Sequence, residues 1–325
     1  MSESSGCRRR ALAAGEYERR HWPSKPRLRE QHVGTTHVTL QVAILAGMQL
    51  GKIGVWTSSR AIGAENAGEA AKLVEDLGFA TFWLGGSPKL PTVRPLLQAT
   101  SSLIIATGIV NVWQNEPAQL AVEHAALTEA FPGRLLLGIG IGHPEASSNY
   151  ARPLASMSGF LDGLDAAVRP VPQSERCLAA LGPRMLELSA ERSLGAIPYF
   201  VPVEHTRFAR QRLGPKALLA PELACVLDTD GTRARHIARG YAQTYLGLRN
   251  YTGNLLRFAF TEHDIADGGS DRLIDAIVPH GTAEQIAQAV HAHLDAGADQ
   301  VCLQPLGAAG VPREAWTALA AALIE

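Results

Sequence analysis

From Lys52 onward the chain alternates two hydrophobic periods, and this alternation restricts the possible folds more than any other feature of the sequence. "KIGVW" (52–56) is a continuous apolar run of strand length. Residues 64–78 then place Ala67, Ala70, Ala71, Val74 and Leu77 on one helical face and stop at Gly78, a residue suited to a left-handed cap. "ATFWLG" (80–85) returns to strand character. The same phrase recurs further along: Thr282 and Gln285 have capping-box spacing, Ile286, Val290 and Leu294 form an apolar face, Gly297 closes the helix, and residues 301–304 read as a strand. Further apolar runs lie at 103–110, 134–140, 176–181, 196–201 and 222–227, with helical stretches at 117–130, 183–193, 204–213 and 231–247. Strands that read as unbroken apolar runs belong to a parallel sheet covered on both faces. Eight of them predict a (β/α)8 or TIM barrel, with a doubly wound open sheet as the alternative.

The chain has 325 residues, 46% of them hydrophobic, with 30 Lys and Arg against 31 Asp and Glu. That length suits one large core, and the near-neutral balance argues against a nucleic-acid partner, which needs a clustered basic surface. The four cysteines, Cys7, Cys177, Cys225 and Cys302, have neither metal-ligand spacing nor a disulfide framework, so a reducing cytoplasm is expected and no metal site. Residues 1–47 differ from the rest. They are basic and broken by Pro23 and Pro26, and they read as a disordered or loosely packed extension, with Met48 as a candidate start of the folded domain 48–325. The more apolar stretch 37–56 is interrupted by Gln41, Gln49 and Lys52 before it reaches membrane-spanning length.

In such a barrel the chemistry sits at the carboxyl ends of the strands. The residues there are mostly glycine, small hydroxyl, amide and aromatic: Trp56 and Ser58, Gly85, Gly86 and Ser87, Asn111 and Trp113, Gly140, Gly142 and His143, Gly182, Pro183 and Arg184, Tyr199, and Gln304. They contain no carboxylate pair for sugar chemistry and no Ser-His-Asp signature. Such a mouth suits a bound cofactor. The most distinctive segment is "RLLLGIGIGHPEAS" (134–147), a buried strand that ends in the alternating glycines Gly138, Gly140 and Gly142 and then presents an imidazole. Alternating glycines imply close approach of another group, and an imidazole titrates within the physiological range.

The segments "GKIGVWTSS", "FWLGGSP", "ATGIVNVWQNEP", "FPGRLLLGIGIGHPEA", "LAALGPRMLELSAERSLGAIPYFVPVEHT" and "HLDAGADQVCLQPL" occur in this order from Met48 onward. Together they resemble the luciferase-like oxidoreductases, and more narrowly the branch that uses the 5-deazaflavin coenzyme F-420. The resemblance implies a bacterial-luciferase-like barrel with insertion segments. It implies hydride transfer between F-420 and a small organic substrate, and a possible homodimer. An FMN-dependent monooxygenase and a non-catalytic flavin- or deazaflavin-binding paralogue are the alternatives. The cofactor would lie against Gly85, Gly86, Ser87, Thr107, Gly108, Ile109, Asn111, Gly140 and Gly142, with its phosphate side toward Leu181, Gly182, Pro183 and Arg184. A non-prolyl cis peptide is implied at Gly108–Ile109. His143 stands where related dehydrogenases carry a glutamate proton donor and Glu145 follows two residues later, so both are catalytic candidates. Trp56, Ser58, Trp113 and Tyr199 are expected at the substrate. The segments 149–175 and 248–270 are expected to shape its pocket.

Overall fold

A computed structural model describes residues 44–45, 48–146 and 150–324. The extension expected over residues 1–47 lies outside the described residues except for Ile44–Leu45, which pair antiparallel with Met48–Gln49.

The eight expected strands are present: β1 (Ile53–Ser58), β2 (Thr81–Gly85), β3 (Ile104–Gly108), β4 (Leu135–Gly140), β5 (Arg176–Leu178), β6 (Gly195–Ala196), β7 (Leu218–Leu219 and Glu222–Cys225) and β8 (Val301–Pro305). Each pairs in parallel with its neighbours in the sheet. β7 joins the two ends. Leu218–Leu219 pair with β6, Glu222–Cys225 pair with β8, and only Ala220 and Pro221 separate the two halves. A single segment therefore closes the sheet into a barrel. The sequence expectation began this strand at residue 222; the turn-forming Pro221 hides the two paired residues before it.

Side chains alternate across each strand, as the two-residue period requires. Val55, Phe82, Leu84, Ile105, Leu135 and Leu137 face the helices, while Trp56, Trp83, Ile104, Ala106, Leu136 and Cys302 fill the barrel interior. The helices form where expected, including Pro117–Ala130, Pro183–Arg192 and Val203–Leu213. Thr282 and Gln285 make both capping-box hydrogen bonds of helix Ala283–Asp295. In that helix Leu294 packs partly buried against the core with Ile286 and Val290, and His293 is buried beside it with Thr206 Oγ 2.8 Å from its Nδ1. The segment 149–175 carries helix Pro153–Asp165, and 248–270 carries helices Arg249–Leu255 and Glu262–Ile265. Among the described residues no helix is long and apolar enough to cross a membrane, and no group of three or more His, Cys, Asp and Glu could hold a metal ion.

The lower end of the barrel interior is held by one amide. Gln300 is fully buried; its Oε1 accepts from Trp83 Nε1 at 2.9 Å, and its Nε2 donates to the carbonyls of Leu50 and Gly51. Gln300→Ala strands the Trp83 N–H in an apolar interior and leaves a void. A destabilisation of about 2–4 kcal/mol is expected, read as a lower midpoint in urea unfolding.

Candidate active site

At the carboxyl ends of the strands lies a cavity of about 680 Å³, within the range typical of small-molecule and cofactor sites. The peptide bond between Gly108 and Ile109 at its base is cis, as the resemblance implied. Trp56, Ser58, Gly86, Ser87, Gly108, Ile109, Asn111, Gly140, Gly142, His143, Leu181, Gly182 and Tyr199 all line the cavity.

The other expected residues sit elsewhere. Gly85 is buried beneath the cavity, where a Cβ would lie 2.8 Å from Trp56 Nε1. Thr107 is turned between strands: its Oγ donates to the Gly138 carbonyl and accepts from the Gly138 amide, each at 2.9 Å. Trp113 Nε1 donates to the Ile141 carbonyl at 2.6 Å, which holds the turn after β4. Pro183 opens helix Pro183–Arg192, and Arg184 is exposed in its first turn. Glu145 is exposed and accepts a hydrogen bond from the Arg249 amide at 3.2 Å. Its own backbone amide, with that of Arg249, holds the carboxyl below its ordinary value. Glu145 therefore fastens the turn after β4 to helix Arg249–Leu255.

The glycine run meets the protein's own atoms first. A Cβ on Gly138 would lie 1.9 Å from the Thr107 carbonyl oxygen, and one on Gly140 would lie 2.5 Å from the Ile109 side chain. Gly142, at φ +68°, turns the chain toward His143. The glycines thus let β4 pass close against the end of β3, and the pairing of Val110–Asn111 with Ile139–Gly140 is the result. Cofactor space follows indirectly, because the Ile109 side chain occupies the room that Gly140 leaves.

His143 is half-buried, with Nδ1 3.0 Å from Asn250 Oδ1 and its ring tilted 42° against Tyr251 at 5.2 Å. The amide oxygen is an acceptor, so Nδ1 carries hydrogen and Nε2 is left for a bound molecule.

Tyr251 joins His143 to a wall of phenols. Tyr199 Oη lies 3.0 Å from Tyr245 Oη and donates to Gln304 Oε1 at 2.9 Å; all three residues, with Tyr251, line the cavity. Trp56 packs against Tyr199 on one side and stacks on Trp83 on the other. Burial raises the Tyr199 and Tyr251 hydroxyls well above their ordinary value, so both are neutral donors at physiological pH. Behind the wall is Glu222 of β7, only 2% exposed, which accepts from the Phe200 amide at 3.3 Å and from Tyr241 Oη at 3.2 and 3.4 Å. Burial pushes its carboxyl up to about 8 against the opposing pull of those two donors.

Sequence reasoning reached Asn250 and Tyr251 only as part of the segment 248–270 expected to shape the pocket, and missed Tyr245, Tyr241 and Glu222. The strand-end rule reaches none of them, but Tyr241 and Tyr245 are four apart in one helix and therefore share a face.

Residues 46–300 match the luciferase-like monooxygenase family. A 5,10-methylenetetrahydromethanopterin reductase of Methanolobus tindarius is 26% identical over a 207-residue alignment that covers 52% of this chain and 64% of that reductase. The match therefore spans less than two thirds of the relative's length. An F-420-dependent secondary alcohol dehydrogenase, solved with an F-420–acetone adduct, superposes with a TM-score of 0.66 at 14% identity, over 84% of this chain and 98% of that one. The oxygenating constituent of a 3,6-diketocamphane monooxygenase of Pseudomonas putida, a type II Baeyer–Villiger enzyme solved with FMN, gives 0.60 at 12% identity, over 83% and 95%. With most of the barrel inside the family match and the strand-end cavity built as described, the chain belongs to the luciferase-like monooxygenase family.

Proposed function

We propose that the protein is an oxidoreductase that binds coenzyme F-420 in the strand-end cavity and transfers a hydride between it and a small organic substrate. The observation that carries this reading is the cavity's lining. The start of helix Pro183–Arg192, which has no side-chain cap, and neutral aromatic and hydroxyl side chains border the same cavity.

The residues fit such a coenzyme. Gly182 precedes Pro183 at the helix start, and the nearest atom to a Cβ placed there is Arg257 Nη1, at 3.8 Å. Free backbone N–H groups with a guanidinium beside them form a phosphate site, and the absence of a side chain at Gly182 leaves it open. Ile109 and Gly108 at the cavity base offer a flat apolar support for a ring system. Ser58 and Ser87 supply hydroxyls within the same chamber. A deazaflavin, when bound, supplies or accepts a hydride at ring carbon C5, while one proton moves at its ring and another at a carbonyl-type substrate.

This chain's residues do the rest. Asn250 holds the His143 ring through Nδ1, and Nε2 exchanges a proton with the bound molecule. The tyrosine wall and Trp56 give the chamber its aromatic lining. The FMN-bound neighbour motivates FMN monooxygenation as the second reading, since both cofactors present a tricyclic ring and a phosphate.

Titration of the protein separately with F-420 and FMN, followed by fluorescence and calorimetry, distinguishes the two. Saturable binding of F-420 with at least ten-fold preference, a difference of about 1.4 kcal/mol, is the expected result. Preference for FMN transfers the site to the monooxygenase reading, and binding of neither sinks both. Arg257→Ala should weaken F-420 binding roughly ten-fold or more, as loss of a charged phosphate partner does.

A further inference from the structure

Among the described residues that border the strand-end cavity, Arg60 is the only Lys, Arg, Asp or Glu. It enters from the turn after β1. Ser58 Oγ accepts from the Ala61 amide at 3.2 Å there, and Ile62, 1% exposed, anchors helix Ser59–Ile62 in the core. No Asp or Glu oxygen of the described residues lies within 4.0 Å of the Arg60 guanidinium. Three hydroxyls line the same cavity, those of Ser58, Ser59 and Ser87. β1 and β2 pair as far as Ser58 and Gly85, and a Cβ on Gly86 would lie 3.4 Å from Ser58 Cβ, so the turn that carries Ser87 lies against Ser58. We propose that Arg60 and these hydroxyls bind an anionic group of the substrate, a carboxylate or a phosphate. The substrate is then a small organic acid that also carries the carbonyl or alcohol exchanging the hydride, and for that exchange the proposal rests on the F-420 reading.

The barrel's strand order separates this site from the coenzyme phosphate. Gly182, with Arg257 beside it, follows β5, and β5 is four strands from β1 in either direction around the sheet. The two cationic positions therefore stand on opposite sides of the barrel mouth. A coenzyme phosphate at Gly182 leaves Arg60 without a counter-ion, and the second molecule in the cavity has to supply one.

The chemistry of the lining suits an anion and nothing of opposite sign. A guanidinium presents its N–H groups as a planar fork that matches two oxygens of a carboxylate or phosphate, and serine hydroxyls donate to the oxygens left over. Ser58 Oγ already accepts from the Ala61 amide, so its own hydrogen is available to donate. The other titratable groups of the lining are the His143 imidazole and the phenols of Tyr150, Tyr199, Tyr245 and Tyr251, and burial raises each of those phenols above its ordinary value. The cavity thus contains no negative charge to repel an acid or to compete for Arg60. A cleft that carries charge of one sign between uncharged walls concentrates ligands of the other sign. A neutral ketone or alcohol of the same size would leave the guanidinium with water alone.

The test titrates the full chain, without coenzyme and in low-salt buffer, with benzoate, phenyl phosphate and the neutral benzamide. Arginine Nε–H cross-peaks of ¹⁵N-labelled protein report where each probe binds, and the Arg60 peak is the one lost in Arg60→Gln. Benzoate or phenyl phosphate should shift that peak saturably, with a dissociation constant at least roughly ten-fold below that of benzamide, and the tighter of the two acids identifies the anionic group. Arg60→Gln should raise the constant roughly ten-fold or more. Arg60→Lys should recover it only in part, because an ammonium keeps the charge and loses the fork. The shift at Arg60 should survive Arg257→Ala, which removes the cation beside Gly182. The proposal is overturned if neither acid shifts Arg60 saturably, if benzamide binds as tightly as the acids, or if the acids shift Arg257 and leave Arg60 unmoved. A loss of F-420 affinity beyond about ten-fold in Arg60→Gln would also overturn it, by making Arg60 a coenzyme contact. Because the probe titrations contain no coenzyme, their failure leaves the F-420 reading intact, and failure of F-420 to bind leaves them decisive for the anion site.

Discussion

Replacing His143 by Ala is expected to lower turnover by roughly 10²–10⁴-fold, the range for a lost general acid or base, while F-420 affinity stays within a few-fold. The asymmetry follows from the geometry. His143 lines the cavity, and among the described residues its one side-chain hydrogen bond is the 3.0 Å contact with Asn250. Removing the ring leaves the open helix start at Gly182 and the Ile109 support unchanged, so coenzyme contacts persist. Asn250→Ala should cost less than His143→Ala, because the imidazole remains but loses the acceptor that fixes hydrogen on Nδ1. Added imidazole should partly restore the His143→Ala variant and not the Asn250→Ala variant. Single-turnover rates under saturating coenzyme, with the first substrate found to reduce or oxidise it, make the measurement. Unchanged rates in His143→Ala would remove the residue from the chemistry and leave the phenol wall as the cavity's proton source.

The barrel was legible because its strands are buried on both faces and therefore apolar throughout; "RLLLGIG" is a strand on any reading. What stayed hidden was how distant segments meet. Leu218–Leu219 are only two residues long before Pro221, too short to register as a strand, although they complete the barrel. Helix Pro153–Asp165 buries Met157, Phe160, Leu161 and Leu164 at helical spacing, but Gly159 and Gly163 weaken its propensity and disguise it as an insertion. The glycines of β4 correctly signalled a close approach. The sequence could not say that the approaching atoms belong to Thr107 and Ile109, some thirty residues earlier.

The site divides in the same way. Residues directly after strands were found by position, since a barrel presents all its strand ends to one face. Asn250, Tyr251 and Tyr245 enter the same cavity from helices whose rotation is set by tertiary packing, and no local spacing encodes that. Glu222 looked like the polar first residue of the run "ELACVL". Only the closure of the barrel by β7 shows it buried against Phe200 and Tyr241.

That burial makes the stability of the protein depend on pH. Glu222 has a native value raised from 4.5 to about 8 by burial. Its stabilising contribution is therefore full below 4.5 and is lost as pH rises through about 8, because the unfolded chain releases the proton while the native state must keep it. Three buried histidines, His124, His205 and His293, act at the acid side. Burial lowers each from 6.5 to about 4, so their contribution is full above 6.5 and is lost as pH falls. Between 4.5 and 6.5 the two effects oppose each other, with three histidines against one carboxyl. From 6.5 to 8 only Glu222 is still changing among these groups, and at about 1.4 kcal/mol per pH unit the wild type should lose roughly 2 kcal/mol. Buried thiols and phenols have native values raised above 9 and 10, so their losses begin at higher pH. Urea unfolding of the wild type and Glu222→Gln at pH 6.5, 7.25 and 8 isolates the carboxyl, because the amide keeps an acceptor for the Phe200 amide and cannot ionise. The wild-type curve should fall across this window while the variant stays level and becomes the more stable protein at pH 8. Parallel curves would mean that Glu222 is already ionised in the native state, and would remove the stability argument.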